Sequence, residues 1–186
     1  PGAINIENAL AAIAVARALE LPFAHIKQAL SNFRGVRRRF EILAKTQRMI
    51  VVDDYAHHPT AVRATIVAAR QYHKGPIVVA FQPHRYSRTA YLASAFANAL
   101  GAADAVYLAP VYAASEIPIE GISERSIGEP LAQSGTPVHY VKYVHDLRSA
   151  ITAQAAPNTL VLMLGAGNIT KVAADLAKDV SAGAPA

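Results

Sequence analysis

The stretch Met49-Ile50-Val51-Val52-Asp53-Asp54-Tyr55-Ala56-His57-His58-Pro59-Thr60 decides how the rest of the chain is read. It opens on an unbroken apolar run with three β-branched residues, the pattern of a strand buried on both faces of a parallel sheet. The run ends abruptly on acids, an aromatic and two histidines. Pro59 then stands where a first helical turn accepts it, and Val62, Ile66 and Ala69 follow along one side. A strand, a polar turn and a helix therefore succeed one another. In open α/β sheets ligands bind beyond the carboxyl ends of strands, so this turn is the first place to look for chemistry.

The same succession repeats outward. Strands are expected at 49–53, 77–81, 105–109, 138–141 and 160–164. Helices are expected between them: one carrying the stripe Leu92, Phe96 and Leu100 and stopped by Gly101, and others over 123–133, 146–155 and 169–178. This alternation predicts an α/β domain with a mostly parallel, doubly wound sheet flanked by helices. Residues before Gly35 have a different texture. Leu10, Ile13, Ala14, Ala16 and Leu19 make an alanine-rich helix over 6–19, and Ile26, Leu30 and Phe33 form a stripe on a second helix after Pro22. Two helices cannot make a domain, so residues 1–34 are read as the end of an upstream domain and 35–186 as the domain proper, with a frayed end at 183–186.

The chain has 186 residues, close to the ~150 of a single domain. With 53% hydrophobic and 17% charged residues it cannot be a disordered tail. The absence of cysteine excludes disulfides, thiol nucleophiles and cysteine-zinc sites, and fits a reducing cytoplasm. No apolar run approaches the ~18 residues of a membrane span. Pro1 with no basic segment before an apolar run gives no secretory signal, and the chain reads as beginning inside a longer protein. A net charge of +5 favours anionic ligands or nucleic acid as partners without choosing between them.

Three strand ends carry the polar residues. In the first, Asp53, Asp54, His57 and His58 could serve acid-base chemistry or a metal, or Asp54 or His58 could simply cap the helix at Pro59. Adjacent histidines point apart and no third ligand is implied, which disfavours metal. The second reads Phe81-Gln82-Pro83-His84-Arg85-Tyr86-Ser87-Arg88-Thr89. Arg85 and Arg88, three apart, fall on one side of a helical turn. They could clamp a carboxylate or phosphate with a geometry lysine lacks, or answer nearby surface acids. Spacing leaves both readings open. The third, Gly165-Ala166-Gly167-Asn168, lacks the last glycine of a dinucleotide fingerprint and reads as a tight turn beside the site. No P-loop and no nucleophile elbow occurs. Arg37-Arg38-Arg39 lacks the aromatic interleaving or recognition helix that nucleic-acid binding would want.

These two polar loops resemble those of the Mur ligases. So do Asn5-x-x-Asn8-Ala9-Leu10-Ala11-Ala12, Phe33-x-Gly35-Val36-x-Arg38-Arg39-Phe40-Glu41, Val111-Tyr112-Ala113-Ala114-Ser115-Glu116 and Gly165-Ala166-Gly167-Asn168-Ile169. The likeness covers essentially the whole chain and is strongest to members that join L-alanine to UDP-N-acetylmuramate. It implies a Rossmann-like C-terminal domain preceded by the last helices of an ATP-binding domain. It also implies an ATP-dependent, magnesium-assisted ligase of peptidoglycan synthesis working through an acyl phosphate, without nucleic-acid or membrane partners. The fragment alone would be inactive, since the P-loop and the magnesium ligands would lie upstream. By the resemblance, Arg85 and Arg88 hold the alanine carboxylate, and Tyr55, His57 and His84 line the amino-acid site, with His57 a candidate proton acceptor. Arg39 reaches ATP phosphate, Asp54 meets the ribose, and Asn5 and Asn8 lie by the adenine. Two positions depart from the family: Ile4 where histidine is usual, and Asn168 where aspartate is common. The alternatives are a non-catalytic nucleotide- or amino-acid-binding module, the relative that recycles murein tripeptide, and a nucleic-acid-binding domain.

Overall fold

A computed structural model describes residues 2–33 and 35–183, leaving aside the side chains of Ala3 and Ile4. The departure at Ile4 and most of the expected frayed end thus lie outside the described residues. Two helices, α1 (Ala3–Ala18) and α2 (Phe23–Asn32), precede the α/β body. The body runs β1 (Glu41–Lys45), β2 (Met49–Asp54), α3 (Pro59–Tyr72), β3 (Ile77–Phe81), α4 (Tyr86–Leu100), β4 (Ala105–Leu108), α5 (Arg125–Gln133), β5 (Val138–Tyr140), α6 (Asp146–Gln154), β6 (Thr159–Leu164) and α7 (Ile169–Ala182).

The six strands form one sheet in the order β1-β2-β6-β3-β4-β5. The five expected strands are all present and mutually parallel, and the last in sequence is inserted between β2 and β3. A correction comes at the edge. No strand was expected before Met49, yet Glu41–Lys45 pairs antiparallel with β2. A register shift between Ile42 and Ala44 breaks its alternation, and only Ala44 is buried, so its sequence carries little strand signal. Phe33 is a second correction. The sequence places it on one helical stripe with Ile26 and Leu30, but it caps α2 in an extended conformation and is 63% exposed.

β2, β3 and β6 are buried at every position, as continuous apolar runs require. Alternation sorts their side chains onto two faces. Val52, Val79 and Leu162 pack with Ile66 of α3, Phe96 of α4 and Ile127 of α5. Val51, Ala80 and Met163 pack with Leu147 of α6 and Val172 and Leu176 of α7. The helices after β2 and β3 therefore cover one face and the helix after β6 covers the other. The connections diverge above the end of β6, the switch point at which open α/β sheets form their ligand crevice.

The first two helices have no such cover. Ile6, Leu10, Leu19 and Phe23 are exposed, and Ile26 is the buried residue of α2. Gly2, ahead of α1, sits beside Ala68 of α3. Among the described residues no helix is long and apolar enough to cross a membrane.

Candidate functional site

The period of two along β2 sends Asp53 and Asp54 to opposite faces of the sheet. Asp54 turns toward the α3 side, where its two oxygens accept hydrogen bonds from the backbone N–H groups of Phe40 at 2.7 Å and Ala56 at 2.8 Å. Burial pushes its carboxyl pKa up, and these two bonds pull it part of the way back. Of the two residues that could cap α3, it is His58 that does so, through Thr60 N–H. Asp54 instead locks the turn and fastens the segment 38–40 to it. In that segment Arg38 and Phe40 both adopt left-handed backbone conformations, and Arg39 stands exposed between them.

His57 has a defined tautomer. Its Nδ1 lies 2.8 Å from the carbonyl oxygen of Tyr55, and a carbonyl only accepts, so Nδ1 carries the hydrogen. In the neutral ring this leaves the lone pair on Nε2, the form a proton acceptor needs. Tyr55 packs edge-on to His57, and the guanidinium groups of Arg38 and Arg39 lie 4.8 and 5.7 Å from the centre of the tyrosine ring.

The second loop brings His84 to within 6.0 Å of His57, ring centre to ring centre, and stacks it on Tyr112 from the loop after β4. Burial, the positive charge of Arg88 and the neighbouring His57 lower its pKa, so His84 is neutral near pH 7. Arg85 is the N-cap residue of α4, with φ of +76° and no capping bond from its own side chain. The cap comes from Glu116, whose carboxylate accepts from Ser87 N–H at 3.0 Å and Ser87 Oγ–H at 2.6 Å. Glu116 also lies 3.7 Å from Arg85 Nη1. Arg85 thus does answer a nearby acid. Arg88 does not: among the described residues no carboxylate lies within ion-pair distance of it.

The third loop closes the floor. Gly165 has φ of +150°, and a Cβ there would lie 2.9 Å from the Gln82 carbonyl oxygen. At Gly167 a Cβ would lie 2.4 Å from Gln82 Oε1 and 2.8 Å from Tyr112 Cγ. The glycines are present because two loops meet there. Gln82 bridges them, its Nε2 donating to Asn168 and its Oε1 accepting from Ile169 N–H at the start of α7. An asparagine at 168 meets that bond as an aspartate would. Asp53, on the opposite face from Asp54, accepts from Thr170 Oγ1 at 2.6 Å and faces Arg38 Nε at 3.6 Å, while Arg38 Nη2 donates to the Gly165 carbonyl. Burial is the main cause of a raised Asp53 pKa.

The fold therefore brings Tyr55, His57, His84 and Arg88 side by side at this switch point, with Arg85 next to them facing Glu116 and Arg39 over the Tyr55 ring. Asn5 and Asn8 are exposed on α1. The start of that helix lies by Ala68, which by helical rise is roughly 13 Å along α3 from Pro59 and the crevice. Sequence reasoning passed over Arg38, Gln82 and Glu116. Arg38 was one of three consecutive arginines and Glu116 the end of a motif, and neither carries a local signal for what it touches. Among the described residues no group of three or more histidine, aspartate or glutamate side chains could hold a metal ion.

The profile of a family described as Mur ligase, glutamate ligase domain, matches residues 38–167. The chain belongs to the Mur ligase family. It is 44% identical over 96% of its length to UDP-N-acetylmuramate–L-alanine ligase of Desulforamulus reducens, and 44% identical over 97% to the enzyme of the same name from Agrobacterium fabrum. It spans 39% and 38% of the lengths of those two relatives. The crystal structure of UDP-N-acetylmuramate-alanine ligase from Thermotoga maritima superposes on 98% of the chain with a TM-score of 0.80 at 32% identity, the chain covering 39% of that structure. This Mur ligase chain thus has the mostly parallel α/β architecture expected of it.

Proposed function

We propose that the full-length protein is an ATP-dependent ligase of peptidoglycan synthesis that joins L-alanine to UDP-N-acetylmuramate in the cytoplasm. Residues 35–186 present the amino acid, and residues 1–34 complete the upstream ATP-binding domain, whose remainder would cover the exposed apolar side chains of α1 and α2. The observation that carries the reading is the convergence of Arg85, Arg88, His84 and His57 on one crevice. The names of the relatives, at 42–44% identity, support the choice of substrates.

A free amino acid offers a carboxylate and an ammonium. Arg88, with no acid of its own, takes the carboxylate, and Arg85 supports it from the cap of α4. Neutral His84 accepts from Arg88 at Nδ1, so its Nε2 carries a hydrogen and donates. The ammonium must lose a proton before its nitrogen can attack, and His57 Nε2 offers the lone pair to accept it. The amine nitrogen then bonds to the activated carboxyl carbon, and the bond from that carbon to the phosphate oxygen breaks.

ATP, when bound, supplies the phosphoryl group that activates the lactyl carboxylate. Arg39 suits a phosphate: it is exposed, and among the described residues no carboxylate lies within ion-pair distance of it, Asp54 feeling its charge only as a lesser influence. The ribose contact assigned to Asp54 would use lone pairs left over from the two backbone bonds, and Asn5 and Asn8 would reach adenine from the upstream side. Among the described residues no group of side chains fits a resident magnesium ion, and its ligands are assigned to the upstream domain.

The test joins this chain to its upstream sequence and follows ADP release with UDP-N-acetylmuramate and a panel of amino acids. Release that requires L-alanine supports the proposal. Release indifferent to the amino acid, or dependent on a peptide, overturns the assigned substrate. This chain alone should release no ADP.

A further inference from the structure

The two arginines stand at the start of a helix that does not cap itself. Arg85 sits in a left-handed conformation, and its side chain makes no capping bond. Such a conformation persists only where the surroundings hold it. What holds it is the loop after β4. Arg85 N–H donates to the Tyr112 carbonyl and Tyr112 N–H to the Pro83 carbonyl, each at 2.8 Å, so the two loops run side by side like a short parallel ladder. The Tyr112 ring lies on His84. The splinting loop then turns through Ala114 and Ser115, both left-handed, and this turn delivers Glu116 to the first turn of α4. There one carboxylate closes two bonds to Ser87 and faces Arg85. Those bonds to Ser87 are the main reason its pKa falls below the usual carboxylate value, with Arg85 a smaller cause.

We propose that Glu116 is a positioning residue of the amino-acid clamp: from a neighbouring loop it caps α4 at Ser87 and holds Arg85, and so sets where Arg85 and Arg88 stand over the crevice. It touches no substrate. An anion at a helix N-terminus also offsets the helix dipole, so the end of α4 is held without the substrate carboxylate having to do so. The substrate can then be received by Arg88, whose charge Glu116 leaves uncompensated.

The inference rests on the ligase reading, and its test separates the two. In the full-length protein, Glu116→Ala should raise KM for L-alanine about tenfold, the size of a lost helix cap converted by the usual factor of ten per 1.4 kcal/mol. KM for ATP and for UDP-N-acetylmuramate should stay within about twofold. Glu116→Gln keeps an acceptor for Ser87 N–H and a donor for Ser87 Oγ, and should recover most of the L-alanine KM. Amide hydrogen exchange over residues 84–90 should quicken about tenfold in the alanine variant and return toward wild type in the glutamine variant. If wild type does not use L-alanine, the ligase reading fails while exchange at 84–90 still decides what Glu116 holds. Unchanged exchange, or an alanine variant with unaltered KM for L-alanine, overturns the positioning role. So does a uniform rise in all three KM values.

Discussion

Arg88 Nη1 lies 3.4 Å from Nδ1 of His84 and 3.5 Å from the same residue's carbonyl oxygen. A guanidinium only donates, so the imidazole must present a lone pair at Nδ1, and a proton added there would meet the arginine charge head-on. Burial first, and the Arg88 charge second, thus keep His84 neutral, and the proposed carboxylate-binding arginine acts on its histidine neighbour as well. Because the folded pKa lies below the ordinary 6.5, the unfolded chain binds this proton first as pH falls. The stability that neutral His84 contributes is complete above about 6.5 and declines below it toward the folded value. An NMR titration of the histidine ring signals should therefore place the His84 midpoint below 6.5. In Arg88→Ala the midpoint should move up, since a positive neighbour has gone. A midpoint that ignores Arg88 would mean that burial alone accounts for the shift.

The two arginines should not be equivalent. Glu116 already shares Arg85, whereas among the described residues no carboxylate lies within ion-pair distance of Arg88. Arg88→Ala should weaken L-alanine use by about a hundredfold or more in kcat/KM, the range for removing one partner of a charge pair. Arg85→Ala should weaken it less. Arg88→Lys keeps the charge but not the fork, and should recover only a minor part. Steady-state kinetics on the full-length protein reads all three, and an Arg85 effect larger than the Arg88 effect would reverse the assignment.

In the proposed reaction His57 accepts the ammonium proton at Nε2, because its Nδ1 hydrogen is committed to the Tyr55 carbonyl. His57→Gln should lower kcat by about 10²–10⁴-fold with little change in KM for ATP. The defect should narrow at alkaline pH, where free L-alanine arrives with its amine already deprotonated. A defect that is the same at every pH would assign His57 to binding instead.

The parallel body was legible because β2, β3 and β6 are buried on both faces, so each writes an unbroken apolar run into the chain. The loop residues were legible as candidates because polar side chains straight after such runs need partners. What could not be read was which partner each one takes. Asp53 and Asp54 look alike in sequence, yet one residue of strand parity sends the first to Thr170 and Arg38 and the second to the backbone of Phe40 and Ala56. Glu116 reaches Ser87 across 29 residues of chain. β1 was missed because an edge strand with a bulge buries almost nothing.

Asp54 has a structural task that can be separated from any contact with ATP. Asp54→Ala would strand the N–H groups of Phe40 and Ala56, both in buried hydrogen bonds, at about 1–3 kcal/mol each. The variant should therefore lose roughly 2–5 kcal/mol in denaturant unfolding measured without nucleotide. A variant as stable as wild type, yet defective with ATP, would leave the ribose contact as the main role of Asp54.

The turn after β6 admits no side chain. Gly165 combines a φ of +150° with a would-be Cβ contact of 2.9 Å to the Gln82 carbonyl oxygen, and Ile169 Cγ2 follows at 3.2 Å. Backbone cannot swing aside as a side chain can, so Gly165→Ala should cost about 2–3 kcal/mol and lower Tm by about 4–10 °C. The same change should disturb the site. The Gly165 carbonyl accepts from Arg38, which lies over Tyr55, and the shifted oxygen belongs to Gln82, one residue before the loop that carries His84 and Arg85. L-alanine use should fall even at temperatures where the variant is fully folded. Thermal unfolding and kinetics on one preparation check both parts, and a variant with wild-type Tm would show that the β3 and β6 loops are free to separate at this point.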